Sequence, residues 1–254
     1  MNKKLLHPAI VSVWAAVVAA GHLLPAFYIL GTGARFSFAS ALNPLSGIFF
    51  GPLGGALCSA IGCFIGTLIA PDTAWMGLGT FLVGMTTAFT AGCITWGKWP
   101  PITINSNGSF IINGGIVVYF TGTVLWFTQE IGRSFIFLPI VFYGFGFAVM
   151  IIAFIFAKKL FVSNKRFLLF PAIWLCSFGG LVGGAAIGNF FNLVLYKTPR
   201  DVWILLMVTS PIERILFALA AAFVGVPLLT GLNKLGIISV PHNDIKDDDT
   251  TDIQ

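Results

Sequence analysis

The stretch Asn43 to Gly66, NPLSGIFFGPLGGALCSAIGCFIG, lies inside a run from Phe36 to Pro71 that contains no charged residue and is interrupted once, at Gly51-Pro52. One bilayer span takes about 20 apolar residues and two comfortable spans about 40. The run is therefore long for one helix and short for two, and charge placement decides. Apolar segments can be read at Pro8–Leu30, Phe36–Phe50, Leu53–Ala70, Trp75–Trp96, Ile111–Phe127, Phe135–Ala157, Leu168–Leu195 and Val202–Leu229. With the opening stretch counted as two, parity puts Lys3, Lys4, Lys98, Lys158, Lys159, Lys165, Arg166 and Lys234 on one side, and Arg35, Arg133, Lys197 and Arg200 on the other. Positive residues mark the cytoplasmic face, which predicts both termini inside. A single span would set the Lys158–Arg166 cluster opposite the amino-terminal lysines. Two short helices are expected, with Pro52 in the first turn of the second, where its missing N–H is cheap.

Composition points the same way. Hydrophobic residues make up 57% of the 254 and charged residues 9%, against roughly 25% charged in a soluble domain. The expectation is an all-α integral membrane protein, a bundle of six to eight transmembrane helices packed through small residues and lying in the plasma membrane. One membrane domain spans 1–235, and 236–254 forms a disordered acidic cytoplasmic tail, HNDIKDDDTTDIQ at its end. The first apolar stretch exceeds the 7 to 15 residues of a signal-peptide h-region and reads as a mature span. Cys58, Cys63, Cys93 and Cys176 lie in apolar segments without a CxxC pair, so they read as buried thiols, with no metal and no cofactor. The scattered basic residues give no footprint for nucleic acid.

Between Gly97 and Asn113, Pro100-Pro101 stops a helix, and TINSNGSFI alternates around Asn107-Gly108, a hairpin-turn dipeptide. A cytoplasmic loop with a small hairpin is expected there, followed by a Gly- and Thr-rich span; a re-entrant segment would lower the count to seven. Glycines repeat at spacing four, at Gly47, Gly51 and Gly55, at Gly62 and Gly66, and at Gly180, Gly184 and Gly188. In lipid, such faces let helix backbones approach closely. Ala15 with Ala19, and Ala16 with Ala20, form a comparable face on the first helix.

A long first helix with an AxxxA face, a Gly-rich loop GTGARFSF, a short second helix ASALNPLSGIFFGP and then GPLGGALCSAIGCFIGTLIAP together resemble the substrate-binding S components of energy-coupling-factor (ECF) importers for vitamins and micronutrients. The similarity covers Pro8 to Ala91, and SPIERILFALAAAFVGVPLL, Ser210–Leu229, is similar to that family's last helix. The resemblance implies a helical subunit that captures a small molecule from outside and docks on a transmembrane coupling subunit driven by ATPase subunits. It implies docking through Ala15 and Ala19, and a gate over the site at Gly31–Phe36.

Ionisable and amide groups inside a bilayer are functional candidates in their own right. Glu213 and Arg214 lie deep in the last segment, about 100° apart on a helix, and serve either a polar substrate or an ion pair that fixes the bundle. Asn189 and Asn192 share a face and either orient a ligand or bond across helices. Arg35 sits at the outer mouth as an anion attractor or an interfacial anchor, and Asn43 precedes Pro44, whose missing N–H frees a backbone carbonyl. Together Arg35, Asn43, Asn189, Asn192, Glu213 and Arg214 are the candidate substrate-binding set. Gln129, Glu130 and Arg133 read as a solvated edge, His22 as an interhelical hydrogen bonder, and Trp75, Trp96, Trp99, Trp126 and Trp203 as interfacial belt residues.

Three function classes can be weighed. A solute-binding importer subunit needs a partner for ATP hydrolysis, since there is no GxxxxGK[ST] loop. A stand-alone secondary transporter or channel is the alternative; it predicts repeated halves and several membrane carboxylates, and only Glu213 lies deep. An enzyme needs a nucleophile, base or metal set, and the sequence holds three histidines with no HExxH and no GxSxG.

Overall fold

The structure, a computed structural model, describes residues 8–28, 35–97, 103–104, 110–111, 113–134, 137–163, 166–238 and 241. Helix α1 (Pro8–Gly21) leads into a two-stranded antiparallel ribbon, β1 (Pro25–Tyr28) with β2 (Arg35–Ser37), and then α2 (Ala39–Ile69). A 3-10 turn at Pro71–Thr73 and a short extended segment β3 (Trp75–Leu78) precede α3 (Thr80–Trp96). Strands β4 (Thr103–Ile104) and β5 (Phe110–Ile111) pair before α4 (Gly114–Thr128), α5 (Glu130–Ser134), α6 (Phe137–Val162), α7 (Leu169–Tyr196) and α8 (Arg200–Lys234).

The run around Gly51 is a helical hairpin. Gly51 adopts φ 77°, ψ 178° in the middle of α2, a region open essentially to glycine alone. The chain reverses there: Ser59 Oγ donates to Asn43 Oδ1 at 2.7 Å, whereas 16 residues of straight helix would separate them by about 24 Å. A Cβ on Gly55 would fall 2.5 Å from the Gly47 Cα, so the glycine face is what lets the two arms touch. The outward face of the second arm carries exposed Leu53, Leu57, Ile61, Phe64 and Leu68, while Gly55, Ser59, Gly62, Cys63 and Gly66 are buried. Small and polar inside, large and apolar outside is the pattern of a helix packed by close approach and facing lipid.

Contacts set the remaining passes. Gly62 lies on Ala15 and Val18 of α1, and Gly66 on the His22 ring. Gly92, near the end of α3, meets Pro52 at the hairpin tip. Asn113 starts α4 beside that end by accepting from Gly115 N and donating to the Cys93 carbonyl, 2.9 and 2.8 Å, an N-cap that also ties two helices together. The other end of α4 packs Trp126 against Trp203 at the start of α8, ring centroids 4.5 Å apart. Helix α7 runs through the centre, its Gly180 and Gly184 on Thr87 and its Gly188 on Val83. Pro8 and Lys234 accordingly lie at the end of the bundle that carries the hairpin tip. The segments Ala39–Ile69, Gly77–Trp96, Phe137–Val162, Arg166–Tyr196 and Arg200–Lys234 are long and apolar enough to cross a membrane, and the chain is a multi-pass helical membrane protein.

Some expectations are corrected. Helix α1 ends at Gly21 rather than Leu30, because Pro25 lacks a backbone donor and the following residues pair as β1 with β2. Trp126 and Trp203 are core residues, 0% and 1% exposed, not belt residues; their positions near helix ends are covered by neighbouring helices. The hairpin expected around Asn107-Gly108 pairs Thr103 with Ile111 and Ile104 with Phe110, and α4, 15 residues long, runs from Cys93 at the hairpin-tip end to Trp203 at the opposite end. Lys3, Lys4, Lys98, Trp99, Lys165, Gly31–Ala34 of the expected gate, and 239–240 and 242–254 of the expected tail lie outside the described residues.

Candidate functional site

At the end of the bundle opposite the hairpin tip, three voids of about 540, 400 and 370 Å³, open mouths included, adjoin one another. Phe36 and Trp75 line all three, and Asn43 and Arg214 line two each. β2 and β3 hold these aromatic rings over the helix ends, with Phe36 edge-on to Trp75 at 6.2 Å and to Phe217 at 6.0 Å.

Five of the six expected binding residues converge here. Asn189 and Asn192 share one void with Arg214 and Ser210. Asn189 donates to the Tyr143 hydroxyl at 3.2 Å, and Asn192 Oδ1 accepts from Thr198 at 2.6 Å. Tyr143 in turn is the residue whose backbone carbonyl accepts from Tyr119, which anchors the wall to α4 and α6. Asn43 spends its oxygen on Ser59 and on Cys63, 2.7 and 3.2 Å, so its remaining hydrogen-bonding capacity is N–H donation. One turn earlier, Ser40 lines two of the voids, and Pro44 has no N–H to give its carbonyl.

Arg35 stands at the mouth and donates from Nε and Nη2 to both oxygens of Asp72, in the Pro71–Thr73 turn. This pair joins the ribbon to the link between α2 and α3. The hydrogen bond from Arg35 holds the Asp72 carboxyl below the usual carboxylate range and raises the guanidinium. Beside it His22 Nδ1 bonds Thr73 Oγ1 at 2.8 Å, and Thr73 donates to the Ala70 carbonyl, so His22 is the donor.

Glu213 departs from the set. It lines none of the three voids, and its Oε2, buried without a hydrogen-bond partner, lies 4.0 Å from Arg214 Nη1. The two therefore approach each other loosely while only Arg214 turns to the cavity. Ala15 and Ala19 are also corrected as a docking face: both are buried against the second arm of α2, while Ala16 and Ala20 are exposed. The register follows from Gly62, which accepts the α1 backbone at Ala15. Glu130 and Arg133 are exposed at the same end of the bundle, away from the voids. The free cysteines Cys58, Cys63, Cys93 and Cys176 are buried.

Sequence reasoning missed Asp72, and it named Phe36 only as the end of the expected gate and Trp75 only as a belt residue, although both line all three voids. An acid in the gap PDTAW, facing the mouth that holds Arg35, was a usable signal for Asp72; the aromatic pair depends on strands too short to read. No family profile, curated protein or solved structure matches the chain.

Proposed function

We propose that this chain is the substrate-specific, membrane-embedded binding subunit of an ECF-type importer. It captures a small organic, vitamin-like solute from outside and delivers it inward when docked on a coupling subunit with ATPases. The observation that supports this most is the cavity itself: amide, hydroxyl, arginine and aromatic groups from α2, α7, α8, β2 and β3 meet above buried apolar side chains. Gly225 of α8 packs against Leu45 and Ile173 below it, and Leu45, Ile48, Ile173, Ala221 and Ala222 are fully buried. A receptor is built this way; a channel, one of the competing readings, needs a continuation through that floor.

Orientation follows from the lysine distribution, with the cavity outside and both termini cytoplasmic in the plasma membrane. Docking is carried over from the family resemblance, which placed it on Ala15 and Ala19; with those two buried, the face proposed for it is the exposed Ala16–Ala20 side of α1. The role is binding, not catalysis. The test is reconstitution of the full chain in proteoliposomes, alone and with whatever membrane partner copurifies on an affinity tag. Uptake is expected only with the partner and ATP; uptake by the isolated chain without either refutes the importer-subunit reading in favour of a stand-alone transporter.

A further inference from the structure

Arg214 is 8% exposed, its Nε has no hydrogen-bond partner, and it lines two of the three voids. Trp203 lines the larger of these, and its indole Nε1 is likewise a buried donor without an acceptor. No aspartate or glutamate lines any of the three voids. Glu213, the nearest acid, is 4.0 Å from Arg214 Nη1 and outside hydrogen-bonding distance. A guanidinium taken out of water is costly unless an anion with matching geometry faces it. The larger void is thus lined by one positive charge, and two buried donors on its lining residues have no acceptor.

We propose that the cavity takes an organic carboxylate carried on a flat aromatic body, with Arg214 as its anion-binding residue; this rests on reading the cavity as a solute site. The guanidinium edge matches a carboxylate bidentately. Asn192, whose oxygen is already engaged by Thr198, has its amide N–H groups left to donate, and Ser210 lies one turn from Arg214 on α8 in the same void. Phe36, Trp75 and Trp203 supply apolar walls and ring edges for the aromatic body. An amine is disfavoured by the buried cation, and a neutral amide loses the charge-assisted bonds.

The experiment titrates the purified full chain in detergent with matched sets of acid, primary amide and amine on one ring system. Indole-3-acetate, nicotinate and 2-naphthoate are the acids, and calorimetry is the readout. At least one acid is expected to bind saturably, with its amide and amine about 10- to 100-fold weaker, the loss of a charged hydrogen-bonded partner. Arg214→Gln should remove that preference and Arg214→Lys should keep part of it. The acid-against-amide comparison on the native protein stands even where the Gln variant does not fold. Equal or tighter binding of an amide or amine overturns the anion assignment and leaves the receptor reading intact. So does unchanged acid affinity in a folded Arg214→Gln. Absence of saturable binding by every compound at millimolar concentration overturns both.

Discussion

Three glycine-to-alanine substitutions separate space from backbone conformation at the hairpin. On Gly47 a Cβ would lie 1.9 Å from the Ala88 carbonyl oxygen and 2.7 Å from Gly92 N, both backbone atoms of α3. Ordinary contact begins at 3.4 Å, so α2 and α3 must separate by roughly 1.5 Å, at the upper end of the ~1–3 kcal/mol that overpacking costs. On Gly51 nothing lies within 4 Å, but φ is +77°, and forcing a side chain into that region costs ~1–3 kcal/mol. Gly144, exposed on α6, has neither obstacle, and alanine there gains up to ~1 kcal/mol of helix propensity. At about 2–4 °C per kcal/mol for a chain of this size, melting of the purified protein should fall by about 6–12 °C for Gly47→Ala and about 2–12 °C for Gly51→Ala. It should hold or rise for Gly144→Ala. The sign at Gly51 is the sharpest point, because in one straight helix the same alanine would stabilise. A Gly51→Ala protein that melts higher than wild type refutes the hairpin.

Asp72→Asn should speed release of a bound solute severalfold in stopped-flow, by untying the ribbon from the Pro71–Thr73 turn. In wild type that release rate should be flat from about pH 5 to 8 and rise only in acid. The Asp72 pKa is depressed on folding, so the pair is fully formed above the ordinary carboxylate pKa of about 4 and is lost as pH falls through the depressed value. Ala16→Trp with Ala20→Trp should abolish copurification of a membrane partner and spare solute binding. Ala15→Trp with Ala19→Trp should instead lower the melting temperature, since both sites are buried; the opposite assignment would show as normal stability in the second pair. Asn113→Ala removes a cap and a tie to Cys93 and should cost ~1–2 kcal/mol, measured as a melting shift of about 2–8 °C.

The alternation of passes was legible because charge and length are summed over long segments, and parity turns a small bias at Lys158–Arg166 into a global constraint. The break at Gly51-Pro52 was legible because few residues other than glycine accept the conformation it needs. The set Arg35, Asn43, Asn189, Asn192 and Arg214 was legible as a list of polar groups costly to hold in lipid, but not as one site. Their convergence depends on the rotation of α7 and α8, which small-residue contacts fix to within a fraction of a turn. The rotation of α1 likewise decides which of Ala15–Ala19 and Ala16–Ala20 is buried: both pairs have identical spacing, and Gly62 of α2 lies on the Ala15 side. Trp126 and Trp203 misled for a related reason, since a tryptophan near a helix end is interfacial only when no other helix covers it.

The two arginines of the cavity, similar in sequence terms, are opposite in electrostatic standing. Arg35 is held by both oxygens of Asp72, whose side chain is 49% exposed, so the mouth is close to neutral and what field remains is screened within about 8 to 10 Å at ordinary salt. Arg214 is 8% exposed and has Glu213 at 4.0 Å, outside hydrogen-bonding distance, so an oxygen meeting the guanidinium directly would do so in a medium of lower effective dielectric, where the same separation is worth several times more. On the proposed reading, a carboxylate solute gains little at the Arg35–Asp72 pair and most of its interaction at Arg214. The same reading puts selectivity on α8, while Arg35 and Asp72 tie the ribbon to the Pro71–Thr73 turn.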